Sequence, residues 1–185
     1  MNIRIVAAGL LSVCAFQAQA LLLTPDTEGV IAGYGYGPSN CEPGCVEEVF
    51  GAENLVLLYK ADAPNSLLDP IDESGVFAPW YGTTFSNSPT DPSGATISGG
   101  AAITCGICYL AIKDGNQSPG YYFYDLAGWN GADSIILADF WPGKGAISHV
   151  SIWGDKTSVP EPATLSLLGA GLLMVGFKSR KKLFG

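Results

Sequence analysis

Short runs of β-branched and aromatic residues, each closed by turn-forming residues, limit this chain to an all-β fold. Clusters of glycine, proline, asparagine and aspartate separate the runs, and helical periodicity is nearly absent between the two termini. Closely spaced short strands of this kind are typical of a single β-sandwich or jelly-roll-like domain. The runs predict strands over residues 54–60, 101–113, 120–126, 133–140 and 146–154.

The remaining interior is expected to be less regular. Residues 67–100 hold four prolines among many small polar residues, which predicts loops with two strands around residues 76–85. Residues 45–55 allow one or two helical turns. No internal repeat is present, so the interior is interpreted as one domain.

Alternation along the last predicted strand places Ile147, His149, Ser151 and Trp153 on one face. His149 is the only histidine of the chain, and a lone histidine has no defined catalytic partner or metal co-ligand. We therefore expect a partly buried histidine that is hydrogen-bonded to a neighbouring loop. The chain also lacks G-x-S-x-G and H-E-x-x-H motifs. We predict no catalytic residues, no metal site and no cofactor.

The first 20 residues have the pattern of a secretory signal peptide. A single cation, Arg4, precedes an uncharged run over residues 5–16, and Ala18 and Ala20 form an A-x-A cleavage site. Cleavage after Ala20 would leave an exported domain of residues 21–158.

Residues 159–185 form a tail of three successive parts. The first is a stiff Pro-Glu-Pro step, because proline lacks a backbone N–H and restricts its predecessor; it consists of Val159, Pro160, Glu161 and Pro162. Residues 163–177 carry no charge and predict a short transmembrane helix of about 22 Å, against about 30 Å of bilayer hydrocarbon. The positive-inside rule places the basic end in the cytoplasm; its cations are Lys178, Arg180, Lys181 and Lys182.

This tail resembles the sorting signal of the PEP-CTERM proteins, which Gram-negative bacteria export. The resemblance implies recognition by an exosortase, an integral-membrane cysteine peptidase-transferase that cuts near the Pro-Glu-Pro step. It also implies a transient inner-membrane intermediate, followed by delivery to the cell surface or to an extracellular matrix of exopolysaccharide, as in a biofilm. Residues 113–154 resemble the domain that precedes the tail in many of these proteins.

The predicted exported domain is strongly acidic. Residues 21–159 contain 16 acidic and four basic residues, which gives a net charge of −12. Such a charge repels phosphate backbones and excludes nucleic acid as a partner. Exopolysaccharide remains a candidate partner, but an acidic polysaccharide would have to bind through bridging cations or a neutral stretch of sugar.

Four cysteines follow the signal peptide, and outside the cytoplasm an even number indicates disulfides. The Pro-Gly step between Cys41 and Cys45 suits a type II turn, which favours a local bridge. The Gly-Ile step between Cys105 and Cys108 suits a two-residue hairpin turn and a second local bridge. A cross-link between the two motifs, a redox C-x-x-C motif and a four-cysteine zinc site remain alternatives.

Aromatic residues in turn-like contexts are the candidates for binding sugars. Trp129 and Trp141 are placed so that an exposed ring could stack on a sugar, although such rings more often fill the core of a sandwich. We predict a non-catalytic surface or matrix protein. The alternatives are an extracellular glycan-acting enzyme with a carboxylate pair and a surface protein that keeps its tail as a plain membrane anchor.

Overall fold

A computed structural model describes residues 20–33, 40–99, 103–104, 106–115, 117–143 and 145–155. Within these residues the chain forms ten strands in two sheets, the helix α1 (Gly44–Phe50) and a 3₁₀ turn at Ala78–Trp80. The all-β prediction is confirmed. The strands are β1 (Leu21–Leu23), β2 (Ile31–Gly33), β3 (Val56–Asp62), β4 (Asp72–Ser74), β5 (Tyr81–Ser86), β6 (Gly94–Gly99), β7 (Cys108–Asp114), β8 (Tyr121–Asp125), β9 (Ile135–Leu137) and β10 (Ile147–Gly154).

The last strand occupies an interior position in the larger sheet. This sheet has the order β2-β8-β7-β10-β3-β4, and its neighbours are all antiparallel. The smaller sheet has the order β1-β9-β6-β5, in which β1 and β9 are parallel. Because β10 is paired along both edges, it is held more firmly than any edge strand.

Side chains from both sheets form the larger buried core. Leu58, Ile112 and Ile152 of the six-stranded sheet pack in one cluster with Ile97 and Ile135 of the four-stranded sheet. Each of these five side chains is at most 1% exposed. Burial of this apolar surface, at roughly 25 cal/mol per Å², is the main force that holds the sheets together.

A second apolar cluster lies on the other face of the six-stranded sheet, beneath α1. Cys45 and Val46 of α1 pack there with Ala111, Phe123 and Trp153. The six-stranded sheet is thus covered on both faces, which explains why its central strands β7 and β10 carry buried apolar residues on both of their faces.

The five predicted runs and the helix are present, but several other strands were not predicted. Each of the five predicted runs overlaps one strand, namely β3, β7, β8, β9 and β10, and the predicted helical turns overlap α1. Strands β1, β2 and β4 lie outside those runs. Each has only three residues, and so short a strand is hard to recognise unless, like β9, it lies within a longer apolar run. Residues 67–100 contain three strands rather than two, and only β5 lies at the predicted residues 76–85, since β4 precedes them and β6 follows them.

The predicted face of Ile147 is wrong. His149 pairs with Lys113 and Ile147 pairs with the next residue, Asp114, so one extra residue of β10 forms a β-bulge. The bulge moves Ile147 to the larger core, where it joins Val150 and Ile152.

Among the described residues, no helix is long and apolar enough to cross a bilayer. The predicted transmembrane helix at residues 163–177 lies outside the described residues, as do residues 1–19 of the predicted signal peptide.

Candidate functional site

The candidate site begins with a disulfide-closed loop in front of α1. Cys41 and Cys45 form a disulfide with a Cα–Cα distance of 5.4 Å, as the sequence predicts. The predicted type II turn is wrong, because Pro43 has φ −76° and ψ −14°, whereas that turn needs ψ near +120°. Pro43 instead caps α1, and the amide of Cys45 donates to the carbonyl of Cys41 at 3.1 Å.

Glu42 points from this loop onto the outer face of β10. Its Oε2 lies 2.7 Å from Nε2 of His149, and its Oε1 accepts a hydrogen bond from the hydroxyl of Ser151. The indole N–H of Trp153 lies 3.4 Å from the same Oε1 and 3.0 Å from the Ser151 hydroxyl oxygen. The side chains of Glu42 and His149 are only 4% and 2% exposed. We call this group of four residues the Glu42 anchor.

The anchor holds Glu42 in its charged form. Burial raises the pKa of Glu42, but the hydrogen bond and charge of His149 and the hydrogen bonds from Ser151 and Trp153 outweigh it, so the pKa is lowered overall. Because an ionised carboxylate only accepts hydrogen bonds, Nε2 of His149 carries the proton that it shares with Glu42.

Neighbouring polar side chains extend the anchor on both sides. Nδ1 of His149 lies 3.7 Å from the carboxylate of Asp62, which also forms a 2.8 Å salt bridge with Lys60. The ring of Tyr121 packs edge-on against His149, and its hydroxyl accepts the amide of Cys41 at 3.4 Å. Burial and the charge of Glu42 raise the pKa of Tyr121, so the phenol stays neutral.

The connectivity of the anchor does not suit nucleophilic catalysis. A serine nucleophile donates to a histidine base, which a carboxylate orients from the far side. Here the carboxylate of Glu42 lies in the middle and accepts from both Ser151 and His149. The arrangement is therefore suited to fixing the disulfide loop onto β10.

Sequence reasoning identified only part of the anchor. The expected hydrogen bond of His149 to a neighbouring loop is confirmed, although the side chain is almost fully rather than partly buried. Ser151 and Trp153 lie on the predicted face. Glu42 was not predicted, because it is one of 16 acidic residues between residues 21 and 159 and is 107 positions away from His149. The sequence did offer one signal: His149 and Ser151 are polar residues within the otherwise apolar strand β10, and buried polar groups need hydrogen-bonding partners.

The second cysteine motif is described only in part. Cys108 is disulfide-bonded, and Cys105, its predicted partner, lies outside the described residues. Since Cys41 and Cys45 are bonded to each other, the alternative cross-link between the two motifs is absent. The described residues contain no cluster of three or more histidine, cysteine or acidic residues that suits a metal ion.

Both tryptophans predicted to stack on sugars have buried side chains. Trp129 is 9% exposed and donates from its indole to the carbonyl of Asp133, and Trp141 is 7% exposed and donates to the carbonyl of Pro119. Trp129 also lines a cleft of about 420 Å³. Trp80 is 53% exposed and offers more ring surface to a ligand than either. Sugar stacking by Trp129 and Trp141 stays a prediction.

The sorting and processing residues lie at the edges of the described chain. Ala20 is described and exposed, whereas Ala18 lies outside the described residues. The Pro-Glu-Pro step and the basic end also lie outside them; these residues are Val159, Pro160, Glu161, Pro162, Lys178, Arg180, Lys181 and Lys182.

Comparison with known proteins identifies the tail and nothing else in the chain. A family model of the PEP-CTERM protein-sorting motif matches residues 158–182, which confirms the predicted sorting signal. No curated protein and no solved structure is significantly similar to the chain.

Proposed function

Because the chain carries a PEP-CTERM protein-sorting motif, we propose that it is an exported protein whose tail is cut by an exosortase. The match of the motif to residues 158–182 is the observation that carries this proposal. The signal peptide directs export and is removed after Ala20. The predicted transmembrane helix at residues 163–177 would then hold the chain in the inner membrane until the enzyme acts near the Pro-Glu-Pro step.

The exported domain is a β-sandwich that acts as a non-catalytic component of the cell surface or extracellular matrix. The Glu42 anchor supports this role, since its histidine, serine and carboxylate are almost fully buried and are bonded to one another. A disulfide closes the loop that carries Glu42. Both features suit a stable domain outside the cytoplasm.

Association with exopolysaccharide is the proposed purpose of delivery. The domain's charge of −12 repels an acidic polysaccharide, so the contact uses bridging cations or neutral sugars. The exposed ring of Trp80 is a suitable surface for stacking on a neutral sugar.

Mass spectrometry of the intact protein and its C-terminal peptide, purified from its own host, tests the proposal. We expect a chain that begins at Leu21 and ends near Pro160. A chain that still carries Lys178–Gly185 would contradict sorting and would support a plain membrane anchor. A matched variant with Pro160, Glu161 and Pro162 replaced by alanine should keep the tail.

A further inference from the structure

The C-terminus of β10, from which the tail continues, lies beside the start of β7 and the end of β8. The amide of Asp155 donates a 3.3 Å hydrogen bond to the carbonyl of Ile107, directly before β7. Gly154 pairs with Cys108, whose carbonyl accepts a 2.9 Å hydrogen bond from the amide of Leu126, directly after β8. Leu126 itself is buried in the larger core, and the exposed turn at Ala127 follows it. We call the surface formed by Ile107, Ala127 and Asp155 the exit end.

The predicted N-terminus of the processed chain lies at the same end. The amide of Trp129 donates to the carbonyl of Leu126 at 2.9 Å, and both residues line the 420 Å³ cleft together with Ala20 and Leu21. Signal peptide and sorting tail therefore both connect to the domain at the exit end.

Few residues separate the exit end from the predicted cleavage region and from the bilayer. Five residues lead from Asp155 to Pro160, and at full extension they span at most about 17 Å. Three more lead to Ala163, where the predicted transmembrane helix begins, which adds about 10 Å. The interior position of β10 prevents the strand from lengthening this connection by unpairing.

We infer that the exit end is a contact surface for the exosortase while the enzyme cleaves the tail; this inference rests on the proposed function. A peptidase holds several extended residues on either side of the bond that it cuts. Such an enzyme would cover most of the five residues between Asp155 and Pro160. The enzyme is integral to the membrane, so it approaches the domain from the side of the tail. The folded surface that it meets there is the exit end.

Ile107 is the residue best placed to make this contact. Its side chain is apolar and 47% exposed, and its carbonyl holds the amide of Asp155. Leu68 is a matched control, since it is also an exposed aliphatic residue, at 95%. It lies in the loop between β3 and β4, beyond Asp62, which pairs with His149. This loop is at the Ile147 end of β10, which is about 24 Å from Gly154 because the strand has eight residues. Leu68 is therefore remote from the exit end.

Cleavage of the full chain in its own host tests the inference, with precursor and product followed by pulse-chase labelling. We expect Ile107→Glu to slow cleavage several-fold and Leu68→Glu to leave it unchanged. A Gly-Ser spacer of about ten residues after Lys156 adds up to about 33 Å. With this spacer, Ile107→Glu should be cleaved as fast as the unsubstituted chain. Deletion of Lys156 and Thr157 should slow cleavage without altering the described domain.

The outcomes separate the two proposals. If the unsubstituted chain is never cleaved, the proposed sorting function fails. If it is cleaved and neither Ile107→Glu nor the deletion slows the reaction, the exit end is not a contact surface. Resistance of the exported domain to added protease checks that the Ile107→Glu variant folds. If that variant does not fold, the deletion of Lys156 and Thr157 still tests the inference.

Discussion

The carboxylate of Glu42 and the imidazole of His149 are 107 residues apart in the sequence and lie 2.7 Å apart in the fold. This contact joins the loop closed by the Cys41–Cys45 disulfide to an interior strand of the larger sheet. The same strand leads directly to the sorting tail. The disulfide loop, the buried Glu42–His149 hydrogen bond and the tail-bearing strand therefore form one connected structure.

Removal of the Glu42 carboxylate should strongly destabilise the domain. Glu42→Ala leaves His149, Ser151 and Trp153 without their buried acceptor, and loss of one partner of a buried pair costs about 3–5 kcal/mol. Urea unfolding of the full chain in detergent measures the change in the free energy of unfolding. Glu53→Ala is the control, because Glu53 is exposed. Equal stability of the two variants would rule out an anchoring role for Glu42.

The contribution of Glu42 should disappear in acid. Its pKa in the folded state is below the ordinary value of 4.5, so its stabilisation is complete above pH 4.5 and is lost as the pH falls through the folded pKa. The difference in unfolding free energy between the natural chain and Glu42→Gln should therefore be largest near neutral pH and shrink below pH 4.5. Unfolding curves at a series of pH values measure this, and a difference independent of pH would contradict it.

Loss of the Cys41–Cys45 disulfide should weaken the anchor as well as the loop. Replacing both cysteines with serine should cost about 2 kcal/mol, the chain-entropy value for a loop of about five residues. Because the loop positions Glu42, the cost should be smaller when Glu42→Gln is already present. A double-mutant cycle measures this coupling. Strictly additive costs would mean that disulfide and carboxylate stabilise the domain independently.

Two glycines with similar backbone conformations should differ in their tolerance of a side chain. Gly131 (φ +73°) and Gly128 (φ +86°) both lie in the left-handed region, where alanine costs roughly 1–2 kcal/mol. A Cβ at Gly131 would lie 1.9 Å from the carbonyl oxygen of Ile103, whereas a Cβ at Gly128 has no neighbour within 4 Å. Gly131→Ala should therefore cost about 1–3 kcal/mol more than Gly128→Ala in thermal unfolding, owing to steric overlap. Equal costs would contradict this crowding.

Runs of β-branched and aromatic residues were sufficient to predict five of the strands, although not β6, which contributes Ile97 to the core. Alternation of side chains between the two faces was then a good guide to which residues are buried where. In β8 the alternation is visible directly, since Tyr122 and Tyr124 face the larger core while Tyr121 and Phe123 face α1. It failed at Ile147, because a β-bulge inserts one residue and reverses the face of everything before it. A bulge depends on the partner strand, which local sequence does not reveal.

The candidate site likewise combines features that local sequence predicts with contacts that it does not. Local features of the sequence determined the all-β class, the close pairing of Cys41 with Cys45 and the sorting motif at residues 158–182, since each depends only on residues near one another in the chain. The tertiary structure alone decided which acid His149 meets and which end of the domain the tail leaves. These are contacts between distant residues, and they follow from the order in which the strands pair and from the side chains that this order brings together.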